Sequence, residues 1–288
     1  MAAPGAAAAG GGSGVRARAV VLVGDGLRRP EERRPVRMVK GKGGTAMSTP
    51  VSQPAPGTPP DFGFLPPPEP PYALVVAGGD LDEPALAEET ARLARGASLC
   101  VAADGGLRLL RAVGIWPGVL VGDFDTLTPD EVEAARAAGV TVRAFPPAKD
   151  FTDAELALDV ARRQLGRAPL YVVGGVGDRI DHTLANLLLA ARWWTEGHPV
   201  TVLAGPAHVR PLAGPGEVRF RGAPGQTVSL IPLTPQMTGV DTEGLVYPLA
   251  GATLTWGNAY AVSNALVGEE GAFRARTGMG LVVLQRRA

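Results

Sequence analysis

Between residues 72 and 206 the chain repeats one pattern, a short apolar run followed by a stretch of helical periodicity. The runs fall at 72–77, 99–103, 119–121, 140–145, 170–173 and 200–203, and most are apolar at successive rather than alternate positions. A strand that is apolar on both faces belongs inside a parallel sheet covered by helices on each side. The intervening segments 84–95, 107–113, 129–138, 153–165 and 181–195 read as those helices. Two carry start signals. Thr128-Pro129-Asp130-Glu131 supplies a capping hydroxyl, a first-turn proline and a reciprocal glutamate, with Gly139 as the stop. Thr152-Asp153-Ala154-Glu155 repeats the box spacing, so Thr152 has a capping role beside any catalytic one.

After residue 207 the pattern turns to β structure without a convincing helix. Segments 217–221, 227–232, 252–256 and 273–285 are strand-like and are broken by turns such as Ala223-Pro224-Gly225. Before residue 72 the composition is Ala/Gly, then Arg-rich, then Pro-dense, and buries too little apolar surface to offset ordering entropy. The expected organisation is therefore a disordered extension over 1–71, a Rossmann-like doubly wound α/β domain over 72–206, and an all-β sandwich domain over 207–288. The basic stretch 28–42 reads as a solvated tail or an over-long start rather than an arm for an acidic partner, and Met38 and Met47 are possible internal starts.

Charge and cysteine content exclude several classes of function. The 28 Lys+Arg balance 28 Asp+Glu among 288 residues, so no excess positive field favours nucleic acid. No apolar run approaches the roughly 20 residues needed to cross a bilayer, which argues against a membrane partner. The lone Cys100 rules out an internal disulfide framework and reads as a buried, inert thiol. A cytoplasmic location fits these features.

Four segments rich in acid and glycine sit where turns are expected: Ala103-Asp104-Gly105-Gly106, Gly122-Asp123-Phe124-Asp125, Lys149-Asp150-Phe151-Thr152-Asp153 and the stretch from Gly174 to His182. Three directly follow a strand run, at the edge where open α/β sheets bind ligands. Carboxylates gathered there repel one another unless a cation joins them, which predicts a metal-bridged phosphate site. Magnesium suits the Asp-x-Asp pair, because it takes one or two protein carboxylates and completes its shell with waters and substrate phosphates. The 149–153 segment adds a cation, a hydroxyl and free helix N–H groups. Arg179 offers a bidentate grip on phosphate, with Asp181 orienting it or holding a metal-bound water; a plain salt bridge at a helix start is the competing reading. His182 reads as a packed or hydrogen-bonded helix residue rather than a general base.

In this order the motifs resemble the thiamine pyrophosphokinase (thiamine diphosphokinase) family. The stretch Gly-Gly-Val-Gly-Asp-Arg-Ile-Asp-His-Thr-Leu-Ala-Asn ends at Asn186, and Thr242-Glu243-Gly244-Leu245-Val246-Tyr247-Pro248-Leu249 and Val262-Ser263-Asn264 continue the match to the end of the chain. The resemblance implies transfer of the pyrophosphoryl group of ATP to the hydroxyethyl oxygen of thiamine, with Mg2+ as cofactor and AMP as the second product. It also implies a homodimer with the active site between one subunit's α/β domain and the other's β domain. On that pattern Asp123, Asp125 and Asp153 organise metal and phosphate; the chemistry of the transfer itself also asks for a proton acceptor, for which Asp153 or Asp150 is the candidate. Asp104, Lys149, Thr152, Arg179, Asp181 and Asn186 belong to the nucleotide side, and Tyr247, Ser263 and Asn264 to the thiamine side. Tyr247 stands where some relatives have tryptophan, and Thr126 where serine is usual. The competing readings are a pyrophosphokinase for another hydroxymethyl heterocycle of the pterin type, a nucleotide-sugar transferase using Asp-x-Asp, and a thiamine- or nucleotide-binding regulator without catalysis.

Overall fold

A computed structural model describes residues 62–65, 69–78, 84–148, 150–177 and 179–286. All of these belong to one compact unit, Pro54–Ala288. The α/β part runs β2 (Ala73–Val76), α1 (Pro84–Gly96), β3 (Leu99–Ala103), α2 (Gly106–Ala112), β4 (Val119–Gly122), α3 (Pro129–Ala137), β5 (Thr141–Ala144), α4 (Asp153–Leu165), β6 (Leu170–Val173), α5 (Ile180–Thr195) and β7 (Val200–Leu203). Every residue of β2, β4, β6 and β7 is buried, as continuous apolar runs require, whereas β5 lies at the sheet edge and is largely exposed.

These strands are parallel in the order β7-β6-β2-β3-β4-β5. The chain moves outward from β2 to β5, then returns through α4 to β6 on the other side of β2. Leu86, Leu93, Leu107, Leu110 and Val132 of α1, α2 and α3 pack in one apolar cluster. Leu158, Val160, Ala190 and Trp193 of α4 and α5 pack in a second. The sheet is therefore doubly wound, and its topological switch lies between β2 and β6.

The remaining elements are β1 (Gly63–Leu65), β8 (Ala207–Ala213), β9 (Gly216–Arg221), β10 (Thr227–Pro232), β11 (Gln236–Glu243), β12 (Ala252–Thr255), β13 (Asn264–Ala265), β14 (Glu270–Ala275) and β15 (Met279–Gln285). Strands β13, β10, β15 and β8 extend the parallel sheet as an antiparallel continuation, giving ten strands in all. A second sheet, β1-β9-β14-β11-β12, encloses a core with this continuation that includes Phe220, Phe273, Leu230, Met237 and Leu284. Its solvent side carries a cross-strand ladder in which Glu217 accepts from both Arg219 and Arg274 at 2.9 Å, and Arg274 reaches Glu243 at 2.6 Å.

Two expectations need correction. The stretch 273–285 is not one strand: β14 lies in the five-stranded sheet and β15 in the ten-stranded one, and the chain turns the corner between them. Gly278 makes that corner at φ +84°, and a Cβ there would collide with the Gln236 carbonyl. Second, the stretch expected to be disordered to residue 71 overlaps β1, which pairs antiparallel with β9; residues 1–61 lie outside the described residues.

Strand β1 is held by its side chains as well as its ladder. Phe64 is buried in the sandwich core, the Arg210 guanidinium sits 4.7 Å from its ring centroid, and Arg210 Nη1 donates to the Leu65 carbonyl at 3.2 Å. The Phe62 ring packs tilted, at 53°, against His208 with centroids 4.4 Å apart and lies under Arg286. Behind it Glu89 accepts from Arg286 at 2.7 Å and pairs with His208 at 3.0 Å. Burial pushes the Glu89 carboxyl up, but hydrogen bonds and charge from His208 and Arg286 outweigh this and hold it below its ordinary value. A chain beginning at residue 72 is expected to unfold at lower denaturant than one beginning at residue 62, by about 3 kcal/mol for loss of a buried phenylalanine and its neighbours. Equal urea midpoints would show that β1 contributes nothing.

Candidate active site

The carboxyl ends of β3 and β4 and the start of α4 converge. Asp104 follows β3 at φ +41°, and its N–H donates to the Val121 carbonyl at 2.8 Å. This places it level with Gly122 of the neighbouring strand, where a Cβ would press on the Asp104 side chain at 3.1 Å. Gly106 lets α2 start directly behind β2, because a Cβ there would collide with the Val76 carbonyl. Asp153 is the first residue of α4, whose cap Thr152 accepts from the Glu155 N–H at 3.1 Å. The box expected here is half formed: the Glu155 carboxylate instead accepts from Arg192 at 2.7 Å. The box at Thr128 and Glu131 is complete.

Asp104, Asp123 and Asp153 each present a carboxylate oxygen, and the three oxygens lie within 4.8 Å of one another. Asp104 is only 7% exposed and its Oδ1 accepts no hydrogen bond, while Oδ2 accepts from the Thr126 hydroxyl. Burial raises the Asp104 carboxyl above its ordinary range, and the charges of Asp125 and Asp153 add to this against the Thr126 hydrogen bond. A divalent cation fits such a set: hard oxygen donors, concentrated negative charge and a buried acceptor left over.

The structure brings Asp123 and Asp153 together as the motifs suggest, with Asp104 as the third member. Asp125 is exposed and acts on Asp104 through its charge. Asp150 is exposed, and Lys149 lies outside the described residues. Arg179 and Asp181 pair with each other at 2.6 Å and are about two-thirds exposed, at 67% and 66% of their side chains. His182 is an exposed helix residue in the first turn of α5, which corrects the packed half of its reading, and its backbone N–H bonds to the Asp181 carboxylate.

At the switch point the glycine run passes close to β2. Gly174, at φ +77°, has no room for a Cβ beside the Ala77 carbonyl, and the Gly175 N–H donates to Gly78 at 3.2 Å. Helix α5 holds this loop from behind. The Asn186 side-chain amide donates to the Gly175 carbonyl at 2.7 Å, and the Thr183 hydroxyl bonds to both backbone groups of Gly177. Asn186 also lines an open groove of about 390 Å³ between α4 and α5 with Thr152, Glu155 and Arg192.

In the β part, Asn264 is buried and grips the backbone beside it: its Oδ1 accepts from the Tyr247 N–H at 2.9 Å and its amide donates to the Tyr247 carbonyl at 2.7 Å. The Tyr247 ring is 65% exposed. Ser263 adopts φ +61°, and its N–H donates to the Ser229 hydroxyl at 3.0 Å. Tyr247, Ser263 and Asn264 thus form one local group. Cys100 is partly rather than fully buried, and desolvation still pushes its thiol up to about 12, in line with the inert reading.

Residues 90–202 match the model of the thiamin pyrophosphokinase catalytic domain, and residues 217–280 match that of the thiamin pyrophosphokinase vitamin B1 binding domain. The chain belongs to the thiamine pyrophosphokinase family. It is 27% identical over 188 residues to the thiamine pyrophosphokinase of Bacillus subtilis, covering 65% of this chain and 86% of that protein. It is 26% identical over 156 residues to thiamin pyrophosphokinase 1 of Caenorhabditis elegans, covering 52% of this chain and 62% of the relative. A crystal structure of the Bacillus subtilis thiamine pyrophosphokinase superposes with a TM-score of 0.66 at 27% identity, over 75% of this chain and all of that one. ATP-dependent pyrophosphokinase chemistry is the general activity of this family. Both family domains overlie the elements described above: the catalytic match spans the acidic trio and the glycine loop, and the vitamin B1 match contains Tyr247, Ser263 and Asn264.

Two residues were missed in these roles. Asp104 belongs with the acidic trio rather than only on the nucleotide side, and the register of parallel β3 and β4 is the signal that places it there. Arg108 was not singled out at all. Its Nε and Nη2 hold both oxygens of Glu131, at 2.7 and 2.8 Å. The Arg108 hydrogen bond, with a backbone hydrogen bond from Thr128, lowers the Glu131 carboxyl to about 2. Because the folded value is depressed, the pair stabilises the fold above the ordinary glutamate range near pH 4.5 and loses that contribution as pH falls towards 2. Unfolding of wild type and Glu131→Gln is therefore expected to differ at pH 7 and to converge on acidification from pH 4.5 to about 2. A gap that stays constant with pH contradicts this.

Proposed function

We propose that this chain transfers the pyrophosphoryl group of ATP to the hydroxyethyl oxygen of thiamine, giving thiamine diphosphate and AMP. The observation that carries the reading is the trio Asp104, Asp123 and Asp153, with its buried and unbonded Asp104 Oδ1, at the carboxyl edge of a sheet in a chain that also bears the vitamin B1 binding domain. Asp104, Asp123 and Asp153 would hold Mg2+, which supplies charge neutralisation for the phosphate chain.

The protein's own residues do the positioning. The thiamine hydroxyl must approach the β-phosphorus in line, forming one O–P bond while the bond from that phosphorus to the oxygen retained by AMP breaks. Asp153, or Asp150 beside it, takes the hydroxyl proton. The N–H groups of the 174–177 loop and of the first turn of α4 face the polyanion, and Arg179 exchanges Asp181 for phosphate when nucleotide is present. The exposed Tyr247 ring stacks on the aminopyrimidine and meets the thiazolium charge, Ser263 lies beside it, and Asn264 sets their backbone.

The same reading includes a homodimer. Ile180, Leu184 and Leu188 form an apolar stripe on α5, exposed by 69%, 56% and 54%, at the i, i+4, i+8 spacing of a helix face that packs against another element. A second copy covers the stripe and brings its vitamin B1 binding domain to the acidic edge. Light scattering of purified protein measures the mass in solution. Incubation with Mg-ATP and thiamine should yield thiamine diphosphate and AMP together, and a hydroxymethyl pterin should yield no AMP. Intact ATP after prolonged incubation with both substrates rejects the proposal.

A further inference from the structure

We infer that Arg108 is a positioning residue for the metal-site carboxylate Asp104 and acts through Thr126. The inference rests on the metal reading above and adds a device outside the carboxylates themselves.

Asp104 has two oxygens with different surroundings. Oδ2 takes the Thr126 hydroxyl, and Oδ1 is buried without a hydrogen bond. The Thr126 hydroxyl, the stronger hydrogen-bond partner of this carboxyl beside the Gly105 backbone N–H, therefore sets how the carboxylate is rotated and which oxygen remains for an ion. Thr126 sits in an irregular loop, between Phe124 at φ +62° and the Thr128 cap of α3, so ladder bonds do not hold it. Its carbonyl instead accepts from Arg108 Nη2 at 2.8 Å.

Arg108 is itself fixed. It lies one turn beyond Asp104 on α2 and makes a forked pair with Glu131, which also takes the Thr128 N–H at 2.8 Å within the capping box. The chain of contacts runs Glu131 to Arg108 to the Thr126 backbone, then from the Thr126 hydroxyl to Asp104. An exposed ion pair of this kind contributes modestly to global stability, the share that acidification removes. A fork anchored at both ends has a different use here: it limits the rotation of a carboxylate two contacts away.

The test is Mn2+ binding to the full chain without nucleotide, followed by electron paramagnetic resonance, with thermal unfolding of each variant alongside. Thr126→Val should weaken Mn2+ affinity by about 10- to 100-fold, the usual effect of removing a hydrogen bond behind a metal ligand, and Thr126→Ser should restore it. Arg108→Met keeps the aliphatic stem, removes the fork and should weaken affinity in the same direction, with no more than the modest loss of stability at neutral pH that breaking the Glu131 pair brings. Arg136→Met, which removes the surface partner of Glu133 on α3, should leave Mn2+ affinity unchanged. Because the route is serial, the double variant Arg108→Met/Thr126→Val should bind no more weakly than Thr126→Val alone. If Asp104→Asn loses Mn2+ while Thr126→Val and Arg108→Met bind like wild type, the positioning role fails and the metal reading stands. Additive losses in the double variant overturn the route through Thr126. A wild-type chain that takes up no Mn2+ at millimolar concentration overturns the metal reading, and the positioning role with it.

Discussion

Asp123→Asn is expected to lower turnover by about a thousandfold or more while the melting temperature stays at or above that of wild type. The first half follows from the demand on the site. Pyrophosphoryl transfer depends on positioning and charge neutralisation, and loss of one organising charge removes a term worth several kcal/mol in the transition state. The second half follows from the surroundings. Three carboxylate oxygens within 4.8 Å repel one another without a cation, so asparagine of the same shape relieves part of that cost. Activity lost with stability kept or gained separates a functional carboxylate from a structural one. Steady-state AMP formation and a melting curve on the same preparation measure both, and turnover within tenfold of wild type would remove the metal reading.

Asn264→Ala should have the largest single effect in the β part, a loss of about 2–4 kcal/mol in stability. The side chain is buried, and its Oδ1 also accepts from the Ala265 N–H at 2.9 Å, besides its two bonds to Tyr247. Truncation leaves two part-buried donors and an acceptor without their partners, each costing up to about 1–3 kcal/mol. The loss should appear in urea unfolding without any ligand. Thiamine affinity should fall as well, because Tyr247 no longer has a fixed backbone. By contrast Tyr247→Ala, which removes an exposed ring, should weaken thiamine binding and leave the urea midpoint almost unchanged. Equal midpoints for wild type and Asn264→Ala would assign Asn264 to direct substrate contact instead.

The sequence was most legible where local chemistry alone decides the outcome. Helix α4 starts and stops as expected, because Thr152 caps one end and Gly166, at φ +65°, the other. The buried parallel strands were recognisable because both faces are covered. Strand β8 was missed although it lies mid-sheet, because His208, Arg210 and Pro211 break its apolar pattern. Their reasons are tertiary: His208 meets Glu89, and Arg210 meets Thr201 at 2.9 Å and the Leu65 carbonyl. Strand β11 hid for another reason, since Gly239 at φ +60° and a register shift between Met237 and Val240 interrupt its alternation. At the site, Asp123 and Asp153 were readable from their motifs. The place of Asp104 beside them depends on strand register, and that of Arg108 on a contact with a helix 23 residues away, neither of which spacing encodes.

The ten-stranded sheet restricts how the molecule can move. Strands β7 and β8 are hydrogen-bonded neighbours, with Val202 opposite Val209 and Leu203 opposite His208, and β8 continues directly into the ladder with β15. Among the described residues no linker separates the acidic edge from the part that matches the vitamin B1 binding domain, so clamshell closure about a hinge would have to break a continuous ladder. Capture of a substrate within one chain must then come from small elements at the rim, leaving the backbone between the two halves as a stiff plate.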